Sequence, residues 1–186
     1  MANVHLDSNL IKEKNMDQFI DRITDASFDD SQCQSLVISD VKVLNFDKIK
    51  ENFENKKFKY FKSADTMFWL DSNFDDIIFV EFKNGQYKHV KNKDLRMKIY
   101  DSMIILSNIF ELTICQIFNK VRYVIVYNDE FPSINKIHEE IADLANTESI
   151  KTGWMNKIES MESLENVIVK KIDGLTSEEF KYEFDL

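Results

Sequence analysis

The stretch "DIIFVEFKNG", residues 76 to 85, constrains this chain more than any other. The continuous apolar run from Ile77 to Val80 calls for burial on both faces, which places it inside a sheet. The run then turns to Glu81, Phe82 and Lys83 before the turn pair Asn84-Gly85. Side chains alternate along a strand, so Glu81 and Lys83 share one face. An unpaired buried charge is expensive. That face therefore needs a cation, a polar partner or an opening to water.

A second aromatic-rich strand, "ADTMFWL" (64–70), lies just upstream. A five-residue loop over 71–75 sets Leu70 opposite Asp76, Trp69 opposite Ile77, Phe68 opposite Ile78, Met67 opposite Phe79 and Thr66 opposite Val80. Asp65 then falls opposite Glu81. Opposed positions have Cβ atoms about 4.5–5.5 Å apart, and like charges there repel. Two carboxylates so placed need a proton, a lysine or a divalent metal, and Lys83 projects from the face of Glu81. A slip of one residue would send Asp65 to the other face. In the metal-free state, removing either acid is expected to relieve repulsion and leave the fold no weaker.

Around this hairpin the patterns alternate. Leu10, Ile11, Met16, Phe19, Ile20 and Ile23 predict a helix over about 8–25, with a loop over 27–34. "SLVISDVKVLNF" reads as strand and "FDKIKENFENK" as a short helix with Phe46, Ile49 and Phe53 on one face. Leu95, Ile99, Met103, Leu106 and Phe110 predict a helix from about 94 to 110, and "RYVIVYND" a buried strand. Pro132-Ser133 opens a further helix carrying Ile134, Ile137, Ile141 and Leu144. "NVIVKKI" reads as a short strand, and Thr176 to Glu179 as a capping box. The expectation is an α/β (α+β) fold with a mixed central sheet flanked by helices, in one domain spanning 1–186.

Three glycines, all scattered, cannot assemble a Gly-rich phosphate loop. P-loop enzymes, Rossmann dinucleotide sites and protein kinases are thereby disfavoured. Cys33 and Cys115 form no CxxC and no zinc spacing. His5, His89 and His138 show no ligand spacing. The first residues lack the apolar core of a signal peptide, and Met103–Phe118 is too polar and short for a membrane span. A soluble, reduced, cytoplasmic protein is expected. The net charge of -9 disfavours nonspecific nucleic-acid binding. Yet residues 48 to 98 hold 12 Lys and Arg against 8 Asp and Glu, a local excess of positive charge.

The order "SAD", apolar strand, turn, "FVEFKNG" and long amphipathic helix resembles the core of the PD-(D/E)xK nuclease superfamily, which includes restriction endonucleases, Holliday junction resolvases and RecB-type nucleases. The resemblance covers roughly residues 46–128, with a helix and strand added before it and helical and strand additions after it. It implies a restriction-endonuclease-like core, with Asp65 and Glu81 holding Mg²⁺ or Mn²⁺ and Lys83 as the motif lysine. These would act on DNA or RNA phosphodiesters, in a bacterial defence or mobile-element setting. It also implies an assisting acid on an upstream helix, Glu51 or Glu54. Ala64 stands where the motif proline often sits. RecB-like members carry a Gln four residues before a Tyr. This chain has Arg96 before Tyr100, as a phosphate contact or a surface residue. The net acidity leaves a rival: a non-enzymatic immunity or antitoxin module on the same fold, masking a basic protein toxin.

Overall fold

A computed structural model of the chain describes residues 4–6, 8–52, 58, 60–70, 75–129 and 139–186. In chain order it forms helix α1 (Ser8–Glu13), strand β1 (Ile20–Arg22), helix α2 (Ile23–Ala26), a small hairpin of β2 (Phe28–Asp29) and β3 (Gln34–Ser35), then β4 (Lys42–Asn45) and α3 (Phe46–Asn52). There follow β5 (Thr66–Trp69), β6 (Ile77–Lys83), α4 (Asn92–Phe110), α5 (Ile114–Ile117), β7 (Val121–Tyr127), α6 (Glu139–Glu159), β8 (Lys171–Thr176) and α7 (Ser177–Phe184).

Six strands make one sheet in the order β1-β4-β5-β6-β7-β8. The first four pair antiparallel, and β6-β7-β8 pair parallel. The sheet is therefore mixed, with α4 as the crossover that parallel pairing of β6 and β7 requires. In the β5–β6 hairpin, Thr66 faces Val80, Met67 faces Phe79, Phe68 faces Ile78 and Trp69 faces Ile77, as the turn length predicts. The Leu70 N–H donates to the Asp76 carbonyl at 3.0 Å, which extends the same register. Most of the turn itself, residues 71–74, lies outside the described residues.

Alternation sorts the sheet into two buried faces. Ile77 and Phe79 join Met67, Trp69, Tyr123 and Ile125 in packing beneath Leu95, Ile99, Met103 and Leu106 of α4 and Trp154 of α6. Ile78, Val80, Phe68, Val124 and Val126 pack on the other side against Phe180 and Phe184 of α7 and Ile23 of α2. Large apolar side chains buried this completely contribute roughly 1.5–3 kcal/mol each. The helix α7 begins with the predicted capping box, Thr176 and Glu179 each bonding the other's backbone N–H. Glu81 and Lys83 continue the face of Ile77 and Phe79, so both lie on the α4 side of the sheet.

Three expectations are corrected. The helix over 8–25 is broken: Asn15 takes a left-handed φ of 53°, and Ile20–Arg22 pair with Lys42–Leu44 as an edge strand. A short helix and an edge strand can both send apolar side chains into one core, and that mimics helical spacing. The loop over 27–34 includes a strand of the β2–β3 hairpin. The last strand is Lys171–Thr176 rather than "NVIVKKI", and Val167 is exposed. Phe53 and the helix opening at Pro132-Ser133, with Ile134 and Ile137, lie outside the described residues. Among the described residues, no single helix is long and apolar enough to cross a membrane. Cys33 and Cys115 are free and exposed.

Candidate active site

Asp65 sits one residue ahead of β5, clamped on both sides. Its N–H donates to the Val80 carbonyl at 2.9 Å, and its carbonyl accepts from Phe46 N–H at 3.0 Å. The segment before it is held by α4: Asp101 accepts from Lys62 N–H and the Ser102 hydroxyl accepts from Ala64 N–H, both at 2.8 Å. So held, Asp65 turns its carboxylate toward β6 and accepts from Phe82 N–H at 2.6 Å.

Glu81 is fully buried. The cation its position demands comes from α4. Lys98 Nζ donates to Glu81 Oε1 at 2.6 Å, to Glu81 Oε2 at 2.7 Å and to Asp65 Oδ1 at 3.1 Å. Lys83 Nζ forms a second ion pair with Glu81 Oε1. The Tyr123 hydroxyl donates to Glu81 Oε2 at 3.3 Å. The structure thus brings Asp65, Glu81 and Lys83 into one cluster and adds Lys98 and Tyr123. Arg96 is not brought to it: its guanidinium donates to the Ser160 carbonyl and to Ser163 Oγ, tying α4 to the segment after α6.

The electrostatics follow from burial. Burial, reinforced by the charge of Glu81, pushes the Asp65 carboxyl up to about 7, with Lys98, Lys83 and the Phe82 N–H pulling the other way. Burial works against the charge of Lys98, but Glu81 and Asp65 outweigh it and hold the ammonium protonated above the ordinary lysine range. Burial and the same two carboxylates push the Tyr123 phenol well above its ordinary range, keeping it a donor. For Asp65 the folded chain binds the proton more tightly than the unfolded chain, whose aspartates titrate at about 3.9. Its contribution to stability is therefore full below about pH 4 and is lost as pH rises toward about 7. Unfolding free energies measured from pH 4 to 8 should fall less steeply for Asp65→Asn than for the wild type. Equal slopes would refute the shift.

Glu81, Lys83 and Lys98 of the cluster line a cleft of about 460 Å³. Lys50, Lys62, Lys83, Lys91 and Lys98 line it with His89, against Asp47, Glu81 and Asp94. Phe61 and Val90 supply apolar wall. A locally cationic hollow thus opens on an acidic protein. Asp65 borders a different hollow, of about 420 Å³, with Asp29, Asp30, Asp47 and Asn84.

The helical acid that reaches the site is Asp47, in the first turn of α3. It accepts from Lys50 Nζ at 2.8 Å and from Ser63 Oγ, and it borders both hollows. Glu51 is exposed, and Glu54 lies outside the described residues. Lys98 carried a faint signal, since it stands four residues before Ser102 on a stripe bordering the apolar one. That spacing shows a polar seam on a buried helix without saying what it meets.

No group of three or more His, Cys, Asp or Glu suited to a metal occurs among the described residues. The pair Asp65 and Glu81 nonetheless fits a hard, partly hydrated divalent cation, because oxygens of both carboxylates already converge on one cationic atom, Lys98 Nζ. Fold and site define an α+β protein with a mixed six-stranded sheet and a lysine-bridged carboxylate pair, Glu81 buried on a basic cleft and Asp65 partly buried beside it. No family model, curated protein or solved structure matches the chain.

Proposed function

We propose that the chain is a metal-dependent nuclease with a restriction-endonuclease-like core, cleaving phosphodiesters of nucleic acid. The observation that carries this reading is the meeting of Asp65 and Glu81 on one cationic point, with Lys83 alongside and Glu81, Lys83 and Lys98 lining a lysine-rich cleft. Asp65 and Glu81 would hold Mg²⁺ or Mn²⁺. The ion, when bound, supplies Lewis-acid stabilisation and a more acidic water. Lys83 adds a fixed positive charge where negative charge develops on the phosphate. Tyr123 keeps the Glu81 carboxylate oriented. The rim residues Lys62, Lys91 and His89 attract and seat the anionic backbone.

The same cluster supports one rival. Two lysines already balance the charges of Glu81 and Asp65, so the site is electrically complete without a metal. With a net charge of -9, that arrangement suits a non-enzymatic module binding a basic protein such as a toxin. Calorimetric titration with Mn²⁺, and incubation with single- and double-stranded DNA and RNA, separate the two. The nuclease reading expects Mn²⁺ binding and cleavage that stops on chelation. No metal binding and no cut substrate, with tight binding to a basic protein that survives substitution of Asp65, Glu81 and Lys83, would establish the rival.

A further inference from the structure

Lys98 stands where an ion bridging Asp65 and Glu81 would stand. An ammonium has three N–H donors. Three carboxylate oxygens surround this one, at 2.6, 2.7 and 3.1 Å. The lysine is not placed there by a loose surface loop. It projects from the second turn of α4, between the buried Leu95 and Ile99. The same helix holds the backbone of residues 62–64 through Asp101 and Ser102. A divalent ion approaching the carboxylates would meet a site whose charges are already balanced, with its oxygens taken. It would also meet repulsion from an ammonium only a few ångströms away, which is strong in a partly dry environment. The Lys98 side chain keeps 21% of its surface exposed on the cleft, so it has room to withdraw.

We infer that Lys98 is a tethered counter-cation: it holds Asp65 and Glu81 together while no divalent ion is bound, and it competes with that ion for the same three oxygens. The inference rests on the metal-dependent reading of the site. It assigns Lys98 a positioning role and makes metal affinity a compromise between two cations.

The test is Mn²⁺ calorimetry with thermal melts, with and without Mn²⁺, on the wild type, Lys98→Met and Lys98→Arg. Lys98→Met keeps the approximate length and removes the charge. It should melt below the wild type without metal and bind Mn²⁺ roughly tenfold tighter or more. It should also gain more in melting temperature from added Mn²⁺. Lys98→Arg keeps the charge and should bind Mn²⁺ no tighter than the wild type. If Lys98→Met does not fold without metal, Lys98→Gln is titrated in its place with the same expectation. Equal Mn²⁺ affinity for the neutral variant and a wild type that cleaves would overturn the inference and leave the nuclease reading standing. No Mn²⁺ binding by any of these proteins would overturn both.

Discussion

Glu81→Ala should lower the free energy of unfolding by about 3–5 kcal/mol, the cost of stripping one partner from a buried ion pair. Glu81 has no exposed surface, and it gathers Lys98, Lys83 and the Tyr123 hydroxyl. Its removal leaves the Lys98 ammonium with one longer contact, to Asp65 at 3.1 Å, and orphans a buried phenol. Relief of the like charge on Asp65 offsets only part of this. Repulsion between the carboxylates, considered alone, predicts the opposite sign. The ammonium between them reverses it, because Lys98 already bridges the pair. A loss of this size is a large share of the 5–15 kcal/mol that usually holds a domain together. Urea unfolding of Glu81→Ala beside the wild type measures it. A midpoint equal to or above that of the wild type would show that Lys98 is not the counter-ion the geometry makes it.

Lys83→Ala should behave in the contrary way, sparing the fold and removing the proposed cleavage. The lysine lies at the end of β6 with 24% of its side chain exposed, and its ion pair is with Glu81. Glu81 keeps both bonds to Lys98 and the one from Tyr123 without it. Unfolding should therefore change by no more than about 1 kcal/mol, as for a partly exposed pair. On the nuclease reading proposed above, cleavage should fall about 10²–10³-fold in kcat/KM, the usual effect of deleting one group that stabilises transition-state charge. Initial rates on a labelled oligonucleotide with Mn²⁺ give the first number, and urea unfolding gives the second. Unaltered cleavage would remove Lys83 from the mechanism, and a collapse in stability would mean that its role is structural.

The parts of this site that could be read in the sequence share a physical cause. Pairing of Thr66–Trp69 with Ile77–Val80 follows from a period of two and a short connection, both local. Once that register is counted out, Asp65 and Glu81 come together with no help from distant chain. The helix α4 was equally legible, because its apolar residues repeat cleanly over nearly five turns. Lys98 was not, since its partners lie 17 and 33 residues away and only the packing angle of α4 on the sheet selects them. Asp47 is illegible in the sequence for a related reason. A first-turn acid on a short helix looks like an ordinary dipole partner, whereas Ser63 and Lys50 draw it into the cleft. The strand β8 lies beyond the apolar run of "NVIVKKI" because parallel pairing with β7 overrides the poor strand preference of Asp173 and Gly174.

The grip of α4 on residues 62–64 has a mechanical consequence. Asp101 and Ser102 bind the backbone leading into Asp65, while Lys98, one turn earlier, binds Asp65 and Glu81 themselves. The helix and the Asp65 segment are bolted together at successive turns and travel as one piece. A swing of α4 away from the sheet would have to tear out both sets of bonds at once. An ion replacing Lys98 would thus depend on rotamer changes of that lysine and of the lysines on the rim, instead of the slower hinge motion of a domain.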